Sequence, residues 1–356
     1  MPKKYIMIDG LVSGMIVADD VLNTVGQLVI KKGTVLNDDI ISRLEAARVF
    51  DVPIDDVNNE YSQPEENYFQ NLKDSGEFLD FKTEYLTVMN TTKETFDNIL
   101  SNAKTIDIDN TIMGVTDLIK REESSLRILD MLHSMRDLSD FIYIHSVNVA
   151  LISNILGQWL ELPKEDLKIL TAAALLHDIG KTKLPSELLN KTGLLTANEK
   201  TALRQHTFLG YNILKDKDID QRIKDVALMH HERCDGTGYP GHLSYQDITP
   251  FAKIVAIADV YDAMTASRSY REAVCPFEVI ENFELQGLNQ YDPGYILTFM
   301  ENIVSSYLNT NVLLSDGRVA EVIFINKQRL SRPMVKCGND FLDLTKIPNL
   351  KIVSIV

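Results

Sequence analysis

The sequence predicts a mainly α-helical protein with a small α+β unit at its N-terminal end and a small β segment at its C-terminal end. Apolar residues recur at helical spacing from about residue 118 to residue 308. β-Branched runs separated by turn residues occupy the stretches before residue 60 and after residue 309. The 356-residue chain is 45% hydrophobic and 24% charged, values that are ordinary for folded domains and argue against a disordered chain.

The first 60 residues have the pattern of a small α+β domain. Short strands are predicted in the segments MIVADDVLN, GQLVIKKGTVL and VFDVPID. A helix is predicted in NDDIISRLEAA, where the Asn37 side chain can cap the first turn. Residues 61–117 are polar and weakly periodic, so we expect a helical connector there.

The helical spacing of apolar residues in 118–308 predicts an all-α bundle of six or more helices. Pro163 and Pro276 each mark a helix start, because a missing N–H is tolerated in the first turn. After residue 309 the pattern returns to strands, with a hairpin signal at Asp316 and Gly317. Residues 309–356 are therefore expected to form the small β segment.

Charge and cysteine content restrict the class of protein. The chain has 36 Lys and Arg residues against 51 Asp and Glu residues, a formal charge of −15. This balance disfavours binding to a nucleic-acid polymer or an anionic membrane, but it allows one small anionic ligand in a locally positive pocket. Three scattered cysteines form no disulfide framework, and no apolar run reaches the roughly 18 residues of a membrane span. We therefore expect a cytoplasmic protein.

Histidines are concentrated in the helical region, where all seven lie between His133 and His242. A single histidine on an apolar helix face is more often a hydrogen-bonded core residue than a metal ligand. Five in one bundle are harder to explain in that way, because a metal would supply the partner that their lone pairs need. The five candidates are His145, His177, His206, His230 and His231.

Two aspartates strengthen the case for a metal. Asp178 follows His177 at the end of an apolar helix, and Asp259 interrupts the core-like run KIVAIADVYDAM. A buried carboxylate is costly unless it is paired or bound to a cation. Imidazole and carboxylate ligands suit iron, manganese or zinc, and without thiolates we rank iron or manganese first. Six or seven ligands exceed one tetrahedral zinc site, so two ions are indicated, with one carboxylate as a bridge.

A glycine-rich loop and a few basic residues adjoin these candidates. The loop HHERCDGTGYPGHL permits a close backbone approach to a ligand, although a plain turn between helices explains the same composition. Lys181, Arg268 and Arg271 could clamp phosphates, although a solvated surface position is the commoner role of such residues.

The motifs together resemble the HD-GYP domain, a subset of the HD metal-dependent phosphohydrolases. HDIGK at 177–181, HHERCDGTGYP at 230–240 and IADVYDAMTASRSYR at 257–271 carry the resemblance. The segments IHSVNVALIS around His145 and LRQHTFLGYNIL around His206 fit the same pattern. The resemblance covers about residues 118–308 and implies that this stretch is a helical catalytic domain.

The resemblance implies hydrolysis of the bacterial second messenger cyclic di-GMP to pGpG, and in many family members onward to GMP. A hydroxide that bridges two metals would attack the phosphodiester, with Asp178 and Lys181 as catalytic residues. The implied metal ligands are His145, His177, Asp178, His206, His230, His231 and Asp259. The implied substrate contacts are Lys181, Arg268, Arg271, Gly238, Tyr239 and Pro240. The resemblance also implies that the loop containing Gly238, Tyr239 and Pro240, called the GYP loop below, contacts a diguanylate cyclase. The chain is further expected to form a homodimer.

The sequence departs from the family pattern at three positions. Phe141 stands where some members have a glutamate that holds a third metal, so we expect a binuclear site. Ser267 and Ser269 stand where Asp and Pro are common.

Two other functions remain open: an HD hydrolase of another nucleotide such as cyclic GMP-AMP, and a catalytically weak cyclic di-GMP sensor or partner-docking module. The complete set of ligand positions argues against the sensor.

Overall fold

The computed structural model describes most of the chain and divides it into two compact units, Met1–Glu66 and Asn67–Val356. In the described residues, no helix combines the length and apolarity that crossing a membrane requires. The residues outside the description are 1–2, 8–10, 12–14, 23–27, 37–39, 42–43, 45–50, 56–71, 102–103, 122–124, 136–140, 192, 194 and 266–274.

The first unit contains two antiparallel strand pairs. Strand β1 (Lys3–Met7) pairs with β4 (Asp51–Asp55), and β2 (Val21–Leu22) pairs with β3 (Leu28–Ile30). Strands β2, β3 and β4 fall within the three predicted segments, whereas β1 is absent from the prediction. The five residues of β1 form a strand because they pair with β4, which is distant in sequence. Most of the predicted helix at 37–47 lies outside the described residues.

The second unit is built around helices, which confirms the predicted mainly α fold. Their bounds are α1 (Gly76–Leu100), α2 (Ile108–Arg121), α3 (Ser125–Ser134), α4 (Phe141–Trp159), α5 (Lys164–Leu176), α6 (Ala197–Arg204), α7 (His206–Leu214), α8 (Gln221–Met229), α9 (Pro250–Thr265), α10 (Pro276–Asn282) and α11 (Pro293–Ser306). Shorter helical turns occupy Ile179–Lys183, Ser186–Leu189, Phe283–Gly287, Leu288–Gln290 and Leu344–Lys346. Both prolines act as predicted, since Pro163 caps α5 and Pro276 is the first residue of α10.

Helices α4, α5 and α9 form the centre of the bundle. Helix α4 packs against both α5 and α9, and α9 is buried along most of its length. These helices are buried because their own apolar residues occupy all of their faces instead of one stripe. Polar side chains on α4 and α9 are thereby carried into the interior, as with Asp259 and Asp262, which are both buried.

Helices α1 and α2 occupy much of the stretch predicted as a connector. The α1 side chains of Phe81, Tyr85 and Phe96 are buried in the same core as the bundle. Ser75 begins α1 by accepting a hydrogen bond from the backbone N–H of Phe78. The division of the chain at residues 60, 117 and 308 stays a prediction.

The C-terminal segment forms a five-stranded antiparallel sheet in the order β8-β7-β6-β5-β9. The strands are β5 (Asn311–Leu314), β6 (Val319–Phe324), β7 (Met334–Cys337), β8 (Asp340–Asp343) and β9 (Ile352–Ile355). The predicted Asp316–Gly317 turn joins β5 to β6. Arg332 ties the sheet to α10, because its guanidinium bonds both Glu281 at 2.8 Å and the Leu350 carbonyl at 2.9 Å.

Candidate metal centre

Three of the predicted histidines lie at helix ends and use the same ring nitrogen in the same way. The Nδ1 atoms of His177, His206 and His230 lie 2.7, 2.6 and 3.0 Å from backbone carbonyl oxygens three or four residues earlier in the chain. A carbonyl oxygen can only accept, so each Nδ1 carries the proton and donates. The lone pair of each ring is therefore at Nε2, the nitrogen that remains free for a metal.

These Nε2 atoms converge on Asp178. Its Oδ1 lies 3.3 Å from Nε2 of His206 and 3.6 Å from Nε2 of His230. Its Oδ2 lies 3.4 Å from Nε2 of His177 and 3.5 Å from Nε2 of His145. The two oxygens of one carboxylate thus face two different pairs of histidines.

Asp259 is placed between the same two sets of histidines. Its Oδ1 lies 3.1 Å from Nε2 of His145, and its Oδ2 lies 3.4 Å from Nδ1 of His231. The ligand atoms form two groups, within each of which all atoms lie within 4.8 Å of one another. The first group is Asp178, His206, His230 and His231, and the second is His145, His177 and Asp259.

These histidines and Asp178 fit a metal site because the lone pairs of their nitrogen and oxygen atoms face one another. With the proton on Nδ1, the lone pairs of His206 and His230 point at the negative Oδ1 of Asp178. This buried Oδ1 and the buried Nε2 of His177 have no hydrogen-bond partner among the described residues. Such an arrangement is repulsive in a low-dielectric interior unless a cation lies between the atoms. Imidazole and carboxylate donors without a thiolate suit a first-row divalent metal.

Burial determines the protonation of most of these rings. It lowers the pKa of His177 to about 3 and that of His206 to about 4, so both are neutral near pH 7. His145 differs: burial lowers its pKa, but hydrogen bonds to Asp259 and Asp262 outweigh burial and raise the pKa to about 9. The two carboxylates hold a proton on each nitrogen of this ring, and a cation at Nε2 would replace one of those protons.

Lys181 lies beside the centre on the helical turn Ile179–Lys183. Its ammonium pairs with Oδ2 of Asp178. Burial raises the pKa of Asp178, but Lys181 and the adjacent imidazoles outweigh burial and hold the pKa well below its usual value. The turn can approach α7 closely because residue 180 is glycine: a Cβ there would lie 1.9 Å from the His206 carbonyl oxygen and 2.5 Å from the Gly210 nitrogen.

The GYP loop folds back onto the histidine pair. The buried Glu232 carboxylate accepts hydrogen bonds from the backbone N–H groups of Gly241 and Leu243. A Cβ at Gly238 would lie 2.3 Å from the Arg233 nitrogen, so only glycine fits there. The Tyr239 ring stacks on His231 with centroids 4.7 Å apart. These contacts bring the predicted loop residues next to the candidate metal ligands.

Two predicted residues lie outside the description, and three functional candidates were missed. Arg268 and Arg271 fall within residues 266–274, so their phosphate contacts stay predictions. The residues missed by sequence reasoning are Glu232, Asn148 and Asp262. Asn148 and Asp262 each follow a predicted ligand by three residues, about one helical turn, and that spacing was the available signal.

Comparison with known proteins agrees with the geometry. Residues 125–294 match the family model described as HD domain. The chain is 36% identical over 199 residues to a cyclic di-GMP phosphodiesterase of Pseudomonas aeruginosa, a match covering 55% of this chain and 48% of that protein. It is 31% identical over 184 residues to 3'3'-cGAMP-specific phosphodiesterase 2 of Vibrio cholerae, covering 51% of this chain and 35% of that protein.

The chain thus spans about half the length of the first of these relatives and about a third of the second. A solved HDG"Y"P protein of Bdellovibrio bacteriovorus shares the fold, with a TM-score of 0.51 and 18% identity over 85% of this chain and 99% of that one. The fold of this chain therefore has a counterpart among solved structures.

Proposed function

We propose that the chain, whose residues 125–294 match the HD domain model, is a metal-dependent phosphodiesterase of the HD-GYP type that hydrolyses cyclic di-GMP to pGpG. One observation carries the proposal. The two oxygens of Asp178 face different histidine pairs, and those of Asp259 face His145 and His231. Two carboxylates that each span two ligand groups suit two adjacent cations, an arrangement used in phosphodiester hydrolysis.

The two ligand groups would hold two divalent ions, iron or manganese, because their donors are nitrogen and oxygen. When bound, such ions supply an activated water and offset negative charge on the phosphate. Phe141 begins α4 four residues before His145, so the glutamate that some family members use for a third ion is absent. We therefore propose a binuclear centre.

The chain's own residues supply the remaining functions. The Lys181 ammonium, beside Asp178, would offset charge that develops on a phosphoryl oxygen. Arg268 and Arg271 are proposed to bind the phosphates of the cyclic dinucleotide as bidentate donors. The GYP loop, held by Glu232, would line the substrate site through Gly238, Tyr239 and Pro240. This local positive charge is compatible with a formal charge of −15 over the whole chain.

Cyclic GMP-AMP is the second candidate substrate. The observation that favours it is the 31% identity to a phosphodiesterase named for 3'3'-cGAMP. Both molecules are cyclic dinucleotides with two phosphodiester bonds, so the metal centre acts on the group that they share. Discrimination between them would depend on contacts with the bases.

The test combines metal analysis with timed turnover of both dinucleotides by the full chain, purified without oxygen and supplied with Mn²⁺ or Fe²⁺. We expect Asp178→Asn to lose bound metal and to lower turnover by more than about 100-fold, because it weakens both ligand groups. Asp216→Asn, at an exposed position in the same domain, is the matched control and should behave as wild type. Full turnover by Asp178→Asn would refute the proposal, and faster turnover of cyclic GMP-AMP would reassign the substrate.

A further inference from the structure

We infer that Tyr85, on helix α1, is a positioning residue for the metal centre: it fixes the orientation of His145 through Asn148 and Asp262. The inference rests on the proposed function only in taking His145 as a metal ligand. Tyr85 lies outside residues 125–294, and thus outside the stretch that matches the HD domain model. A positioning role for Tyr85 would mean that helix α1 helps to shape the metal centre.

An unbroken path of hydrogen bonds joins Tyr85 to His145. The Tyr85 hydroxyl lies 2.6 Å from Oδ1 of Asn148, and Nδ2 of Asn148 lies 2.8 Å from Oδ1 of Asp262. Oδ2 of Asp262 lies 2.6 Å from Nδ1 of His145. All four side chains are buried, and Tyr85 is 0% exposed. Hydrogen bonds in such an environment are strong, and the loss of any one leaves a polar group without a partner.

The chemistry of the groups allows one direction along this path. Asn148 donates from its NH₂ group to Oδ1 of Asp262, so its amide oxygen faces Tyr85. The two oxygens nearest the Tyr85 hydroxyl, Oδ1 of Asn148 at 2.6 Å and the Ile144 carbonyl oxygen at 3.1 Å, can only accept, so the hydroxyl donates, and its shorter contact is with Asn148. The other oxygen of Asp262 accepts from Nδ1–H of His145, which directs Nε2 toward Asp178 and Asp259. Each member thus determines the orientation of the next.

His145 needs this support more than the histidines at helix ends do. His177, His206 and His230 are oriented by backbone carbonyl groups three or four residues earlier in the chain. His145 lies within α4, and its Nδ1 is held by a side chain of α9. Its orientation therefore depends on side chains that a substitution can remove without changing the backbone.

A second buried hydroxyl on α1 provides a matched control. Thr92 lies two turns after Tyr85, is 2% exposed, and donates its hydroxyl hydrogen to the Val88 carbonyl of the same helix. It does not belong to the path to His145. Thr92→Val, like Tyr85→Phe, removes one buried hydroxyl from α1, but it should leave the metal centre intact.

The experiment is calorimetric titration of the metal-free full chain with Mn²⁺, together with thermal unfolding of each metal-free variant. We expect Tyr85→Phe to weaken Mn²⁺ binding about threefold to tenfold, below the 10–100-fold typical of direct partners of a ligand. Thr92→Val should bind as wild type does. Asn148→Leu, which interrupts the same path closer to His145, should weaken binding at least as much as Tyr85→Phe.

The outcomes separate this inference from the proposed function. Unchanged Mn²⁺ affinity in Tyr85→Phe would overturn the positioning role of Tyr85, whatever Asn148→Leu does, as would an equal loss in Thr92→Val. A wild-type chain that binds no Mn²⁺ would overturn both the centre and the role. If Mn²⁺ binds, Tyr85→Phe weakens it and cyclic di-GMP is not hydrolysed, the positioning role stands while the proposed function fails.

Discussion

The two parts of the candidate centre hold their histidines by different means. At the helix ends around α5, α7 and α8, His177, His206 and His230 each donate Nδ1–H to a carbonyl of the adjoining turn. Between α4 and α9, His145 is held by Asp262, which is 117 residues away in sequence. The first arrangement follows from local helix geometry, whereas the second exists only after the helices have packed. We therefore expect substitutions to act on the helix ends through backbone packing and on the α4–α9 contact through side chains.

Gly180→Ala should produce the largest effect, and it acts on the helix ends. The added Cβ would lie 1.9 Å from the His206 carbonyl oxygen, so the turn carrying Lys181 must separate from α7. We expect a loss of about 3 kcal/mol or more in unfolding free energy, measured by urea denaturation, together with loss of Mn²⁺ binding.

Gly76→Ala is the control for that substitution, since no atom lies within 4 Å of its added Cβ. It should unfold within about 0.5 kcal/mol of wild type. If Gly180→Ala were equally mild, close packing of this turn against α7 would not be what assembles the helix-end histidines.

Removing the metal should affect both parts at once. A cation bound only by the folded state, at 100 times its dissociation constant, adds about 2.7 kcal/mol to the unfolding free energy. Chelation of the Mn²⁺-loaded chain should therefore lower its melting temperature, as measured by scanning calorimetry. In Asp178→Asn, chelation should change nothing, and an equal shift there would mean that the stabilising ion binds elsewhere.

Asp262→Asn should have a smaller effect, confined to the α4–α9 contact. The substitution removes the negative charge that holds the Nδ1 proton of His145, and we expect Mn²⁺ affinity to fall about 10–100-fold. The unfolding free energy of the metal-free chain should change less than in Gly180→Ala. Wild-type Mn²⁺ affinity in this variant would show that both parts hold their histidines by local geometry alone.

Much of the fold followed from sequence patterns. Helical periodicity, the two prolines at helix starts and the Asp316–Gly317 hairpin are local signals, and the structure agrees with them. Strand β1 was missed because its identity depends on a partner near residue 53. The depth to which α1 is buried was missed as well, because a polar and weakly periodic stretch gives little indication of what covers it.

The seven candidate ligands could be named from sequence because histidines and aspartates are unusual in an apolar helical region and because their motifs resemble those of the HD-GYP domain. His177 and Asp178 at the end of an apolar helix, and Asp259 within one, require a compensating partner wherever the helix packs. Asn148 and Asp262 lie in equally apolar surroundings, but a buried asparagine or aspartate can be satisfied in many ways. Their role becomes visible only when the partner atoms are known.

The chemistry of the site could be predicted from the residues alone: nitrogen and oxygen donors without thiolates, with histidines concentrated in the helical region. Helix packing was needed to show which oxygen of Asp178 faces which histidine pair, and that Tyr85 connects to His145. The physical reason is the range of the contacts. Helix-end hydrogen bonds join residues three or four apart, whereas the path from Tyr85 joins residues 63, 114 and 117 apart, brought together by helix packing.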